Sequence, residues 1–99
     1  MDTNTKLKLL QENYNDQDEF DQILAKMLEI TLNQHKLKLI QYETDLLDFE
    51  KRYHLDSYTF YQKFSQGELG DNMDFFEWYA VYEMRLELLN KINNLEGAL

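Results

Sequence analysis

Four carboxylates in the second half of the chain are the most obvious candidates for chemistry. They are Glu68, Asp71, Asp74 and Glu77. Hard cations need several carboxylate oxygens on a compact stretch of backbone, which makes a metal site worth testing. However, the EF-hand spacing with its central glycine is missing, and Asp71 and Asp74 are placed to cap a helix. We therefore expect helix capping and solvated acids here, with no metal or other cofactor.

Histidine and serine offer no better catalytic arrangement. His35 and His54 are the only imidazoles, and neither belongs to a Glu-x-x-His or His-x-x-x-His pair that could hold a metal on a helix. Ser57 follows His54 closely, but both fall in a predicted corner between helices, where capping explains them. Gly67-x-x-Gly70 is too short to cradle phosphate and is surrounded by acids. We expect the protein not to be an enzyme.

Length and composition predict one small helical domain. The chain has 99 residues, of which 43% are hydrophobic and 14% aromatic, enough for a globular domain with a modest core. It contains no proline and only three glycines. A β-rich domain needs turn residues at frequent intervals, so we expect an all-α fold of long helices.

The net charge of −9 restricts the class of partner. Direct binding of nucleic acid or an anionic membrane needs clustered Lys and Arg, which this chain lacks. An acidic protein suits a basic protein partner, or owes its charge to solubility alone. No cysteine is present for a disulfide or a thiolate metal site. No segment resembles a signal peptide or a membrane span, and we expect a cytoplasmic protein.

Residues 1–15 are expected to be a flexible or partner-ordered tail, because they are polar apart from three leucines. The alternation of Leu7 and Leu9 also suits a short strand, although a strand without a pairing partner is marginal. Residues 16–99 are the predicted single helical domain.

Three helices are predicted in this domain from their capping residues. Asp16, Asp56 and Asp71 are each expected to accept hydrogen bonds from the first turn of a helix. Gly67 and Gly97 stand where helices end. The predicted helices span about residues 17–53, 57–66 and 72–95.

The first predicted helix has apolar residues at helical spacing on both sides of a polar passage at residues 33–35. The sequence does not decide whether the helix continues through this passage or bends or breaks there. Beyond it the apolar residues recur at spacings of four, three and four, as in a coiled-coil seam. That seam consists of Tyr42, Leu46, Phe49 and Tyr53.

Local interactions are also predicted near the helix ends. His54 stands at a helix C-terminus, where a left-handed residue is common. Two favourable i,i+4 ion pairs are expected, Asp48 with Arg52 and Glu87 with Lys91.

The third predicted helix has more apolar surface than one neighbour can cover. Its apolar side chains span roughly 220° of the circumference, against about 100° for a helix docked on one neighbour. We expect a long antiparallel hairpin with a short helix at its corner, completed by dimerisation or by a partner chain. One apolar stripe holds Phe75, Tyr79, Tyr82, Leu86 and Leu89. The second holds Trp78, Val81, Met84, Leu88, Ile92 and Leu95.

The corner and the third helix resemble a family of small acidic helical proteins common in archaea and cyanobacteria. The shared stretches are Phe-Glu-Lys-Arg-Tyr-His-Leu (49–55), Phe-Tyr-Gln-Lys-Phe (60–64), Gly-Glu-Leu-Gly-Asp (67–71) and Asp-Phe-Phe-Glu-Trp-Tyr-Ala (74–80). The resemblance covers about residues 40–92, and this chain has His54 where glycine is usual. Members are often encoded beside a TumE-type toxin and regarded as its antitoxin. The resemblance implies a non-catalytic antitoxin that neutralises a toxin by direct contact.

The residues expected to contact such a partner lie on the third helix and the corner before it. An acidic surface would steer and hold a basic toxin. The apolar contacts are expected from Trp78, Tyr79, Tyr82, Leu88 and Ile92. The steering charges are expected from Glu68, Asp71, Asp74 and Glu77. Two other functions stay open: a self-associating bundle or adaptor without a toxin, and an acidic mimic of nucleic acid.

Overall fold

The computed structural model describes all of residues 1–99 and contains four helices and no strand. The all-α prediction is confirmed. The helices are α1 (Thr3–Asn13), α2 (Gln17–Tyr53), α3 (Ser57–Ser65) and α4 (Met73–Ala98). None of them combines the length and apolarity required to cross a bilayer.

α2 is a single helix of 37 residues, so the polar passage in its middle does not break it. Asp16 caps its start as predicted, and its carboxylate accepts the N–H of Asp18 at 2.9 Å. His54 ends the helix in the left-handed conformation, with φ 52°. The N–H groups of His54 and Leu55 both bond to the carbonyl of Glu50 and satisfy that end of the helix.

α3 is closed at both ends by the predicted residues. The carboxylate of Asp56 accepts the N–H and the hydroxyl of Thr59, each at 2.8 Å. Gly67 has φ 74°, which only glycine adopts without strain. Its N–H and that of Glu68 bond to carbonyls of the last turn, the pattern of a Schellman motif. The helix therefore ends close to the predicted boundary.

The cap of α4 was predicted wrongly. Asn72, not Asp71, precedes the helix, and its side-chain oxygen accepts the N–H of Asp74 at 2.9 Å. Asp71 is exposed one position earlier. Asn and Asp cap helices equally well, so the local sequence cannot choose between adjacent candidates.

α1 occupies the segment in which a tail or a short strand was expected. The strand alternative is wrong. Asp2 caps the helix by accepting the N–H of Thr5, but no residue of α1 is buried. The longest dimension of the molecule is 59 Å, close to the roughly 55 Å of α2 alone. α1 therefore does not extend the long axis of α2, and the ring of Tyr14 lies against Phe20.

α2 and α4 form an antiparallel hairpin, and α3 covers its closed end. Three ion pairs show the register: Arg52 with Asp74, Arg85 with Glu43, and Lys36 with Glu96. Each has a largely exposed partner and contributes little to stability. Arg52 reaches α4 and does not form the predicted pair with Asp48. The other predicted pair, Glu87 with Lys91, is present at 3.8 Å.

The core has two parts along this hairpin. At the closed end Trp78 and Phe60 are fully buried. Their rings lie parallel, 3.8 Å apart, and the ring of Phe49 lies nearly parallel to the indole at 5.6 Å. Farther along, a smaller cluster joins the two long helices through Leu32, Leu88 and Ile92.

The indole of Trp78 also makes a buried hydrogen bond. Its Nε1–H donates to the hydroxyl of Ser57 at 3.0 Å, and Ser57 is the only buried polar residue. The N–H of Ser57 in turn donates to the carboxylate of Glu50 at 2.7 Å. Three helices are thus tied together at one point.

We expect the change Ser57→Ala to lower the free energy of unfolding by about 1–3 kcal/mol, because it leaves the buried indole N–H without an acceptor. Urea denaturation measures this. Ser65→Ala is the control, since Ser65 is exposed on the same helix and makes no side-chain hydrogen bond. Equal stability of the two variants would contradict this role of Ser57.

We expect His54→Gly to raise the free energy of unfolding by roughly 0.5–1 kcal/mol, because glycine tolerates a left-handed backbone better than histidine does. Thermal denaturation measures the change. His54→Ala is the matched control, because alanine removes the imidazole and keeps the backbone penalty. A similar gain in both variants would mean that the imidazole, not the backbone, is responsible.

Candidate functional site

Three of the predicted contact residues are not available to a partner. Trp78, Leu88 and Ile92 are exposed by only 0%, 7% and 5%. They form the contact of α4 with α2, so their assignment to an intermolecular surface is corrected. The prediction was that α2 covers one apolar stripe of α4 and that the short helix covers only part of the other. In the structure, α2 and α3 together cover most of both stripes.

Tyr79 and Tyr82 are half-buried under α3. The ring of Tyr61 stacks on Tyr79 at 5.2 Å and lies 4.5 Å from Tyr82. Tyr61 also donates its hydroxyl hydrogen to the carboxylate of Glu83 at 2.6 Å. α3 therefore covers the first stripe of α4 near the corner. Leu86 of this stripe and Met84 of the second stripe remain exposed in the middle of the helix.

Asp74 is part of the internal structure and not a free steering charge. Its carboxylate accepts the hydroxyl of Tyr53 at 2.5 Å and the guanidinium of Arg52 at 2.9 Å. Both hydrogen bonds lower the pKa of Asp74, and the bond from Tyr53 has the larger effect. The hydrogen bond to Asp74 raises the pKa of both Tyr53 and Arg52. The interaction joins the end of α2 to the start of α4.

The other three predicted acids, Glu68, Asp71 and Glu77, are exposed. No three side chains of His, Cys, Asp or Glu stand close enough together to hold a metal ion. Ser57 is buried with its hydroxyl bound to Trp78, while His54 is exposed at the left-handed corner. The predicted site residues thus separate into core, internal polar contacts and isolated surface charges.

One group of exposed apolar side chains lies at the open end of the hairpin. α4 is shorter than α2, and its last ion pair to α2 joins Glu96 to Lys36. About the first fifteen residues of α2, roughly 22 Å of helix, extend past the end of α4. Phe20 is the only buried residue in that part.

We call five of the exposed apolar residues of this end the distal surface. It consists of Leu7, Leu9 and Leu10 on α1 and Met27 and Leu28 on α2. An open groove of about 390 Å³ lies on α1 and is lined by Met1, Lys6, Leu9, Leu10 and Asn13.

Acidic residues stand around the turn between α1 and α2. Residues 12–21 contain five acids and no base: Glu12, Asp16, Asp18, Glu19 and Asp21. Sequence reasoning missed this surface because it treated residues 1–15 as a tail. The signal that could have found it was Asp2, an N-cap residue followed by three leucines.

The alkaline stability of the protein should depend on Tyr61. Its hydrogen bond to Glu83, followed by burial and its contact with Tyr79, raises the pKa of Tyr61 far above the ordinary value of 10.0. A folded-state pKa above the unfolded one gives stability that is fully present below about pH 10 and is lost above it. We therefore expect the free energy of unfolding to fall as the pH rises above about 10, the ordinary pKa of tyrosine in an unfolded chain.

The change Tyr61→Phe should make that fall smaller, measured by urea denaturation at several pH values. Tyr58→Phe is the control, because Tyr58 is exposed and makes no hydrogen bond through its hydroxyl. An unchanged pH dependence in Tyr61→Phe would contradict this assignment.

No family model, no curated protein and no solved structure matches the chain.

Proposed function

We propose that this chain is a non-catalytic binding protein that holds a basic protein partner on its distal surface. Following the resemblance described above, the partner is a toxin that the chain neutralises by direct contact. The single observation that carries the proposal is the distal surface, where five large apolar side chains are exposed on two helices that follow one another in the chain. Monomeric proteins seldom leave such side chains together without an interaction that uses them.

The state of α1 supports the proposal. A helix of 11 residues is shorter than those that are stable alone in water, and α1 gains nothing from burial because none of its residues is buried. Its leucines would be covered if it docked into an apolar groove of another protein. A short amphipathic helix that becomes stably ordered on binding is a common mode of protein recognition.

The charge of this end supports a basic partner. Five acids surround the turn at residues 12–21, and the whole chain carries −9. A basic protein would be attracted over a distance and oriented as it approaches, which raises the association rate and disfavours acidic competitors. A toxin that acts on RNA tends to have a basic active surface. An acidic protein could cover that surface and block its site.

A non-catalytic role agrees with the polar groups. The one buried serine already holds the indole of Trp78, and the two histidines are not part of a potential metal site. The absence of cysteine fits a cytoplasmic location, which belongs to the same proposal.

The direct test is co-expression with the product of the adjacent gene. We expect the untagged neighbour to co-purify with this chain and the growth arrest it causes to be relieved. The double change Leu7→Glu with Leu10→Glu should weaken the complex by at least about tenfold, because it places two charges in an apolar contact. Binding is measured by calorimetry and neutralisation by colony counts.

Leu86→Glu is the control, because Leu86 is similarly exposed but lies on α4. It should bind and neutralise like the unchanged protein. Absence of rescue by the unchanged protein would overturn the proposed toxin partner. Full binding by the double variant would overturn the distal surface as the site.

A further inference from the structure

A second set of exposed apolar residues lies on the middle of α2. Ile30, Leu37, Ile40 and Leu47 are exposed by 48%, 70%, 61% and 53%. Together with Asn33 and Thr44 they follow spacings of three, four, three, four and three. This is the heptad spacing of a helix that pairs with another helix. We call these six residues the outer seam: Ile30, Asn33, Leu37, Ile40, Thr44 and Leu47.

The opposite face of α2 has the same spacing and is already paired. Its residues are buried or partly buried in the hairpin. They are Leu32, His35, Leu39, Tyr42, Leu46, Phe49 and Tyr53. The two sets are offset by two residues, or roughly 200° around the helix, so they face in opposite directions. α2 is therefore built to pair on both sides, and only one side is occupied by α4.

We propose that the outer seam pairs with the outer seam of a second copy of this chain, with the two α2 helices antiparallel. Read along the helix, the seam is apolar, polar, apolar, apolar, polar, apolar, a pattern that is the same in both directions. In an antiparallel pair each a position faces a d position. Ile30 then faces Leu47 of the second copy, and Leu37 faces its Ile40.

The two polar residues of the seam also face each other in this arrangement. Asn33 meets Thr44 of the second copy, twice by symmetry. The hydroxyl of Thr44 donates its hydrogen to the carbonyl of Ile40 at 2.9 Å, which leaves its oxygen free to accept a hydrogen bond from the amide of Asn33. A polar residue at such a position costs stability but selects one register.

Charges beside the seam favour the antiparallel orientation. It brings Lys36 next to Glu43 of the second copy, twice. Both side chains are partly exposed, and each already has an ion-pair partner on α4, Glu96 for Lys36 and Arg85 for Glu43. A parallel pair would instead bring Glu43 next to Asp48. At the ends of the antiparallel seam Glu29 meets Glu50, a repulsion reduced because Glu50 accepts the N–H of Ser57.

A second copy is the occupant that this pattern fits, because a two-fold interface must be complementary to itself. A different protein would need no such symmetry in this sequence. The seam covers fewer than three heptads, so we expect a modest interface and dimerisation at micromolar or higher concentration.

The test is sedimentation velocity of the full chain from micromolar to the highest attainable concentration. We expect a reversible dimer and a dissociation constant raised at least a hundredfold by Leu37→Glu. Leu37 is exposed, so this change should leave the fold intact, as checked by circular dichroism. Leu86→Glu makes the same change on an exposed position of α4 and should dimerise normally.

Spin labels report the orientation, and the absence of cysteine allows a single label at Lys51→Cys. The antiparallel register puts the two labels roughly 38 Å apart along the axis, whereas a parallel pair puts them about 10 Å apart. Three results would each overturn the proposal. They are a monomer at every concentration, a dimer unaffected by Leu37→Glu, and a separation of about 10 Å between the two labels. The outer seam shares no residue with the distal surface, so Leu37→Glu should leave partner binding unchanged.

Discussion

The stacking of the Trp78 indole on Phe60, with its hydrogen bond to Ser57, is the contact on which the rest of the molecule depends. The indole comes from α4, the phenyl ring and the hydroxyl from α3, and the stacked ring of Phe49 from α2. A large apolar ring system is buried with its one polar atom satisfied, so the burial carries no desolvation penalty for the N–H. Displacing any of the three helices would both open this stack and leave a buried donor without a partner.

That contact also decides which surfaces are free. Because α3 is held against α4, the tyrosines of the first apolar stripe are half-buried. The rings that the sequence suggested for a partner therefore serve the fold. Around the same corner, Asp74 bonds to Arg52 and Tyr53, and Tyr61 bonds to Glu83. Residues that look like an acidic, aromatic recognition site are thus largely used within the chain.

Exposed apolar surface arises from two properties of α2, its length and its double periodicity. The helix is longer than α4, so α4 does not reach its first part. It also repeats heptad spacing on the face turned away from α4. The first property offers a site for a different protein, flanked by acids. The second offers a self-complementary face. The two surfaces share no residue, although Ile30 of the outer seam lies only two positions from Leu28 of the distal surface.

Much of the fold follows from the sequence alone, since helix ends depend on neighbouring residues. Asp16, Asp56, His54 and Gly67 terminate helices through bonds that span only a few positions, and the periodicity of α2 is local in the same sense. The candidate site did not follow in this way. The extent to which α2 and α3 reach over α4 decides whether Trp78, Leu88 and Ile92 face a partner or the chain itself. Similarly, Arg52 pairs with Asp74, 22 positions away, and not with the nearby Asp48. Such contacts are decided by the packing of the helices against one another, and only the tertiary structure could reveal that the free apolar surface lies on α1 and α2.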